Sequence, residues 1–295
     1  MKVVVTIPAY NEAKTIGLLI KKIRAVMKKT RYPYSLIVVD DGSSDNTSEI
    51  SRKAGAMVIV QPMNYGLAET FRTEIEESLK RGADAIVHMD ADGQYLPEEI
   101  PKLLRELENG NDIVLGSRFM GKIEEMPLIK RLGNRVFSRV VSRIAGIRIS
   151  DTQTGFRAFK RKVAEDLKIV SNHTYTQEQI IRAVRHKFIV KEVPIYFAKR
   201  DGKSRLISNP FEYAAKAIIN LIRVYRDFEP LRFFGIWGGM ALFLGFVLGL
   251  YLVYFQFFEE GAFRHLGLMM FDILVLSIGL QLVMFGFLAD MMKKG

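Results

Sequence analysis

Two stretches near the C-terminus limit what this chain can fold into more than any other feature. Residues 233–258, "FFGIWGGMALFLGFVLGLYLVYFQFF", carry no charge. As an α-helix this run would be roughly 39 Å long, against a hydrocarbon core of about 30 Å. After the loop "EEGAFRH" comes "LGLMMFDILVLSIGLQLVMFGFLAD" (266–290), apolar up to its last residue except at Asp272 and Gln281. A soluble core that surrounded such a hairpin would need more chain than 295 residues leave over. The pattern therefore predicts two membrane spans, about 233–258 and 266–289. Arg223, Arg226 and Arg232 precede the first span and Lys293 and Lys294 follow the second, while the connecting loop sets Arg264 beside Glu259 and Glu260. By the positive-inside rule both termini, and everything N-terminal to the hairpin, lie on the cytoplasmic side. Gly235, Gly238, Gly239, Gly245 and Gly249 permit close helix association, a homo-oligomer included.

The preceding 200 or so residues read differently. Apolar, β-branched runs at 2–8, 35–40, 56–61, 84–90 and 111–118 alternate with helical spacing at 12–29, 45–54, 66–82 and 96–110. Asp45 is the expected N-cap of the second helix. Near-continuous hydrophobic strands separated by amphipathic helices predict an α/β fold with a mostly parallel sheet covered on both faces. Residues 209–230 read as an interfacial amphipathic helix leading into the first span. The expected partition is an α/β domain over 1–208, that helix over 209–230 and the hairpin over 231–295.

The polar clusters fall at one edge of the expected sheet: "PAYNE" (8–12), "VDDGSSDNT" (39–47), "NYGLA" (64–68), "DADGQ" (90–94) and "GSR" (116–118), each after a strand. One Asp after a strand is ordinary turn chemistry, but ligands on such sheets bind at the strands' carboxyl ends. Crowding Asp90 and Asp92 there calls for a positive charge between them. Neither a G-x-G-x-x-G at the first strand nor a G-x-x-x-x-G-K-[ST] is present, which argues against dinucleotide redox chemistry and a P-loop. The 43 Lys and Arg against 32 acids, net +11, favour a polyanionic partner: nucleic acid, an anionic membrane or a phosphorylated substrate. Because basic residues flank the spans and the acidic cluster marks the main site, nucleic acid ranks last. The chain has no cysteine, which excludes disulfides and thiolate zinc, and "MKVVVTIPAY" does not read as a signal peptide.

These motifs, with "DTQTGFRAF" (151–159) and "KRDGKSRL" (199–206), resemble the family 2 glycosyltransferases of GT-A fold. Among them the chain is similar to the polyprenyl-phosphate (dolichyl-phosphate) mannose and glucose synthases. The resemblance implies a GT-A catalytic domain followed by a two-helix transmembrane hairpin. It implies inverting transfer of a hexose from a nucleotide sugar, GDP-mannose or UDP-glucose, to a membrane polyprenyl phosphate. Pro8, Tyr10, Glu12, Asp40, Asp41, Gly66, Asp90 and Ala91 would bind the donor, with Gly42 and Asn64 in support. Asp92, Gln94 and Asp90 would hold Mg²⁺ or Mn²⁺, hard oxygen donors suiting a hard cation. Arg118, Arg131, Arg200, Ser204 and Arg205 would meet the acceptor phosphate, Arg118 and Arg131 acting beside Asp90 and Asp92 in catalysis; at Arg205 the family pattern prefers Lys. Arg157 is the expected ion-pair partner of Asp151. Two alternatives stay open: transfer to a glycan or protein hydroxyl with Glu178 as base, and a non-catalytic nucleotide-sugar-binding membrane scaffold.

Overall fold

The protein, described by a computed structural model, is traced here over residues 1–166, 169–170, 175–199, 210–258 and 265–292, without the side chains of 210–214, 216 and 217. Its packing resolves into two units, Met1–Asn220 and Leu221–Gly295.

The first unit is built on seven strands: β1 (Val3–Ala9), β2 (Tyr34–Asp40), β3 (Met57–Val60), β4 (Ala85–His88), β5 (Ile113–Ile123), β6 (Arg157–Lys160) and β7 (Val190–Phe197). They lie in the order β3-β2-β1-β4-β6-β5-β7. All pairs are parallel except those of β6, which runs antiparallel to β4 and β5. Every residue of β1 is buried, as a strand covered on both faces requires. Val3, Val5 and Ile7 face α1 (Ile16–Met27), which contributes Ile16, Leu19, Ile20, Ile23 and Met27. Leu103, Leu104 and Leu107 of α4 (Ile100–Glu108) join the same layer. On the other face, Val4, Ile37 and Ile86 pack with Phe71 of α3 (Leu67–Lys80), Val163 of α6 (Arg161–Asp166) and Ile180 of α7 (Tyr175–Arg185). The remaining helices of this unit are α2 (Thr47–Lys53), α5 (Leu128–Ala145) and most of α8 (Pro210–Phe228).

The mostly parallel sheet expected from the sequence is present, with local differences. The first helix starts at Ile16 rather than near 12, because the Glu12 carbonyl first closes a turn onto the Thr15 and Ile16 N–H groups. Asn46, not Asp45, holds the cap position of α2, although the Asp45 carboxylate still accepts the Thr47 N–H at 3.0 Å. β5 does not stop at Arg118 but runs to Ile123 beside β7. Gly121 makes that approach possible, since a Cβ there would collide with the Ile195 carbonyl.

In the second unit, α9 (Pro230–Phe258) and α10 (Leu266–Met292) pack against each other. Both are long and apolar enough to cross a membrane, with mean hydropathies of 2.1 and 2.2. Their contact is made through glycines: a Cβ on Gly238 would lie 2.8 Å from the Gly279 carbonyl. Small residues that bring backbones together are how apolar helices associate where no water drives them.

Candidate active site

The loops after β1 and β2 are laced together by short polar side chains. Asn11, held at φ 54°, accepts the Ser44 N–H at 2.8 Å through its side-chain oxygen and donates its own N–H to Ser43 Oγ at 2.8 Å. Glu12 donates its N–H to Thr47 Oγ1 at 2.8 Å. Asp40 accepts the Ser43 N–H at 2.9 Å and the Ser48 hydroxyl. Asp41 reaches across to the loop after β3, where its two oxygens accept the N–H groups of Tyr65 at 2.8 Å and Gly66 at 3.0 Å. Burial pushes the Asp41 carboxyl up, and those two N–H groups pull it partly back. Gly42, at φ 70°, turns where any Cβ would strike the Met63 backbone.

These braces leave a cleft of about 260 Å³ lined by Pro8, Ala9, Tyr10, Asp41, Asn64, Gly66, Leu67 and Thr70. Four of the expected donor residues, Pro8, Tyr10, Asp41 and Gly66, meet here, with Asn64 beside them. Asp40 is buried and spent on its own loop, and Glu12 accepts the Thr15 hydroxyl at 3.0 Å; neither lines the cleft. Tyr10 is 42% exposed, a ring standing open at the rim.

One strand over, β4 delivers "DADGQ". Asp92 accepts the Gln94 N–H at 3.1 Å, an Asx-turn that fixes its carboxylate. Gln94 donates its side-chain amide to the Ala198 carbonyl at 3.1 Å, tying this loop to the end of β7. Asp90 packs against Gly155, where a Cβ would run into its carboxylate. Burial first, then the neighbouring Asp92, pushes the Asp90 carboxyl up, while His88, Arg118 and Arg157 oppose the rise. Ala91 is buried between the two acids.

Arg118 is placed differently from expectation. It is 4% exposed and forms a two-pronged pair with Asp151, Nε to Oδ2 at 2.7 Å and Nη2 to Oδ1 at 2.8 Å. Burial works against the Arg118 charge, but the Asp151 carboxylate and its hydrogen bonds outweigh it and raise the Arg118 pKa. Arg157 is therefore not the partner of Asp151: the antiparallel entry of β6 turns it toward α7, where it donates to the Thr176 carbonyl at 3.1 Å and Gln179 Oε1 at 2.9 Å. Arg131 lies exposed in the first turns of α5. Glu178 is 2% exposed and accepts Arg182 Nε at 2.7 Å and the Val170 N–H at 3.0 Å. A base must reach its proton, so this placement speaks against Glu178 in that role. Arg200, Ser204 and Arg205 lie outside the described residues.

Hard oxygen donors on Asp90, Asp92 and Gln94 fit a divalent cation such as Mg²⁺ or Mn²⁺. Among the described residues no three His, Asp or Glu side chains group as a metal site, so a cation here would draw further ligands from what it binds. The sequence patterns gave no prominence to Tyr95, Thr154 and Gly155. Tyr95 Oη accepts the Gly155 N–H at 2.9 Å and Thr154 donates to the Gly116 carbonyl at 2.7 Å, walling the acidic pair. Only the run of small residues in "DTQTG" hinted at such close packing.

Comparison with known proteins agrees with this geometry. Residues 4–168 match the model of Glycosyl transferase family 2. The chain is 34% identical over 230 residues to a dolichyl-phosphate hexose transferase of Haloferax volcanii, covering 77% of this chain and 95% of that one. It is 29% identical over 218 residues to a polyprenol monophosphomannose synthase of Mycolicibacterium smegmatis, covering 70% and 81%. In fold it is similar to a glucosyl-3-phosphoglycerate synthase from Mycobacterium tuberculosis solved with Mn²⁺ and uridine diphosphate, at TM-score 0.59 and 18% identity, covering 76% and 78%. With more than half of its length under this family model and a relative 34% identical over 77% of it, the chain belongs to glycosyl transferase family 2.

Proposed function

We propose that this protein transfers a hexose from a nucleotide sugar, GDP-mannose or UDP-glucose, to the phosphate of a membrane polyprenyl phosphate with inversion. The observation that carries the reading is the convergence of the 260 Å³ cleft and the Asp90–Asp92 loop on one sheet edge, in a chain with two membrane-length helices. The names of the Haloferax and Mycolicibacterium relatives support the acceptor. Residues 1–208 are the catalytic domain, 209–230 the interfacial helix and 231–295 the membrane hairpin, with both termini cytoplasmic.

Pro8 and Tyr10 give the base an apolar seat, and Asp41 holds the Tyr65–Gly66 loop open beside it. Asp92 and Gln94 Oε1, with Asp90, would hold a divalent cation, whose chemistry when bound would be to offset negative charge on the leaving diphosphate. The acceptor phosphate oxygen bonds to the anomeric carbon, and the carbon–oxygen bond to the diphosphate breaks with its electron pair. A phosphate monoester has its second pKa near 6 and is mostly dianionic at neutral pH. It needs positioning more than deprotonation, which accords with a buried, occupied Glu178. Arg131, exposed on α5, is the cation offered to that phosphate, with Arg200, Ser204 and Arg205. Arg118, buried and braced by Asp151, acts on Asp90 through its charge.

The test is an assay of membranes with a panel of nucleotide sugars and short polyprenyl phosphates, with and without Mn²⁺. A polyprenyl-phosphate hexose appearing with one donor supports the reading. Sugar on a hydroxyl acceptor instead, abolished by Glu178→Gln and spared by Arg131→Ala, overturns it.

A further inference from the structure

Behind the acidic loop lies a polar pair in an apolar layer. His88 ends β4 and Glu74 sits on α3; both side chains are fully buried. Nδ1 of His88 shares a 2.6 Å hydrogen bond with Oε2 of Glu74. The ring lies edge-on to Phe71, centroids 5.0 Å apart, and close to Tyr175. Neither Nε2 of His88 nor Oε1 of Glu74 has a hydrogen-bond partner among the described residues. Nε2 is not aimed at random: Asp90 Oδ1 stands 3.9 Å from it. That is too long for a hydrogen bond but within contact distance.

A core position among Phe71, Phe159 and Tyr175 asks for an apolar side chain. Two buried polar atoms left unpaired there carry a free-energy cost that packing does not explain. Among the described residues Asp90 answers for the Nε2 atom. We propose that Glu74 and His88 form a buried positioning pair that holds the Asp90 carboxylate for its ligand, the Nε2–H turning toward Oδ1. Nε2 carries the hydrogen, because a bare lone pair set against a carboxylate oxygen would repel it. The second hydrogen lies in the 2.6 Å bond, on either partner, and the pair is then neutral as a unit. Glu74 fixes the ring, the ring fixes Asp90, and Gly155 closes the other side. Partners of this kind set the orientation of metal-binding carboxylates. The inference rests on the proposed cation site and assigns positioning residues two steps from it.

The experiment is a Mn²⁺ titration of the full chain in detergent, read by electron paramagnetic resonance, with GDP or UDP present. Wild type, Glu74→Gln, Asp92→Ala and the double variant Glu74→Leu/His88→Phe are compared, with thermal unfolding alongside. The double variant fills the space with apolar groups and leaves no buried polar atom behind. It is expected to unfold no earlier than wild type yet bind Mn²⁺ about tenfold or more weaker. Glu74→Gln keeps binding, since its amide N–H can donate to Nδ1 and leave Nε2–H on Asp90. Wild-type Mn²⁺ affinity in the double variant overturns the positioning role. Wild type that binds no more Mn²⁺ than Asp92→Ala overturns the cation site itself, and the positioning role with it.

Discussion

Gly155 shows how little room the acidic pair has. Its missing Cβ is the space the Asp90 carboxylate occupies. Gly155→Ala is expected to fold, displace Asp90 and lower kcat/KM about 100-fold, the usual effect of roughly an ångström of misplacement; steady-state kinetics beside near-UV circular dichroism checks it. Asp151 makes a different prediction. Removing it by Asp151→Ala strands Arg118 as a buried uncompensated charge, at a cost of about 3–5 kcal/mol in a denaturant titration. Arg118→Met on that background is expected to recover most of the loss. At this scale the acidic loop was legible because carboxylates crowded after a strand repel one another unless a cation joins them. The partner of Asp151 was not legible. Two arginines were in reach along the sequence, and only the antiparallel course of β6 decides between them.

That strand also marks the limit of reading elements from pattern. β1, β2 and β4 announce themselves by buried β-branched residues, whereas β6 has none. Asp112, just before β5, shows how the late elements are fastened. Its carboxylate takes the Ile189 N–H at 3.1 Å ahead of β7 and lies 2.7 Å from Lys162 on α6. Burial pushes the carboxyl up, but Lys162, the Ile189 N–H and Lys160 together bring it below 3.8. A depressed folded-state pKa means the stabilisation is whole above the unfolded value of 3.8 and is lost as pH falls through the folded one. Asp112→Asn is therefore expected to lose about 1–3 kcal/mol at neutral pH. Thermal unfolding should show the gap to wild type closing once the pH drops below 3.8.

For the whole molecule, the apolar hairpin was the plainest signal, since two apolar runs of this length, one uncharged and one broken only by Asp272 before its end, leave few soluble solutions. The orientation proposed from flanking charge can be tested directly because the chain has no cysteine. A cysteine placed by Ala262→Cys should react with an impermeant maleimide from outside intact cells, and one placed by Lys293→Cys only after lysis. Bulk at the helix contact, as in Gly279→Leu, should separate α9 from α10 and lower the thermal midpoint in detergent. Both concern the anchor, whereas the function turns on the acidic loop. The decisive measurement is polyprenyl-phosphate hexose formation by the purified full chain with Mn²⁺, the matching nucleotide sugar and a short polyprenyl phosphate, wild type against Asp92→Ala. The account predicts product from wild type and a fall of at least about 100-fold in the variant; product at the wild-type rate from Asp92→Ala would contradict it.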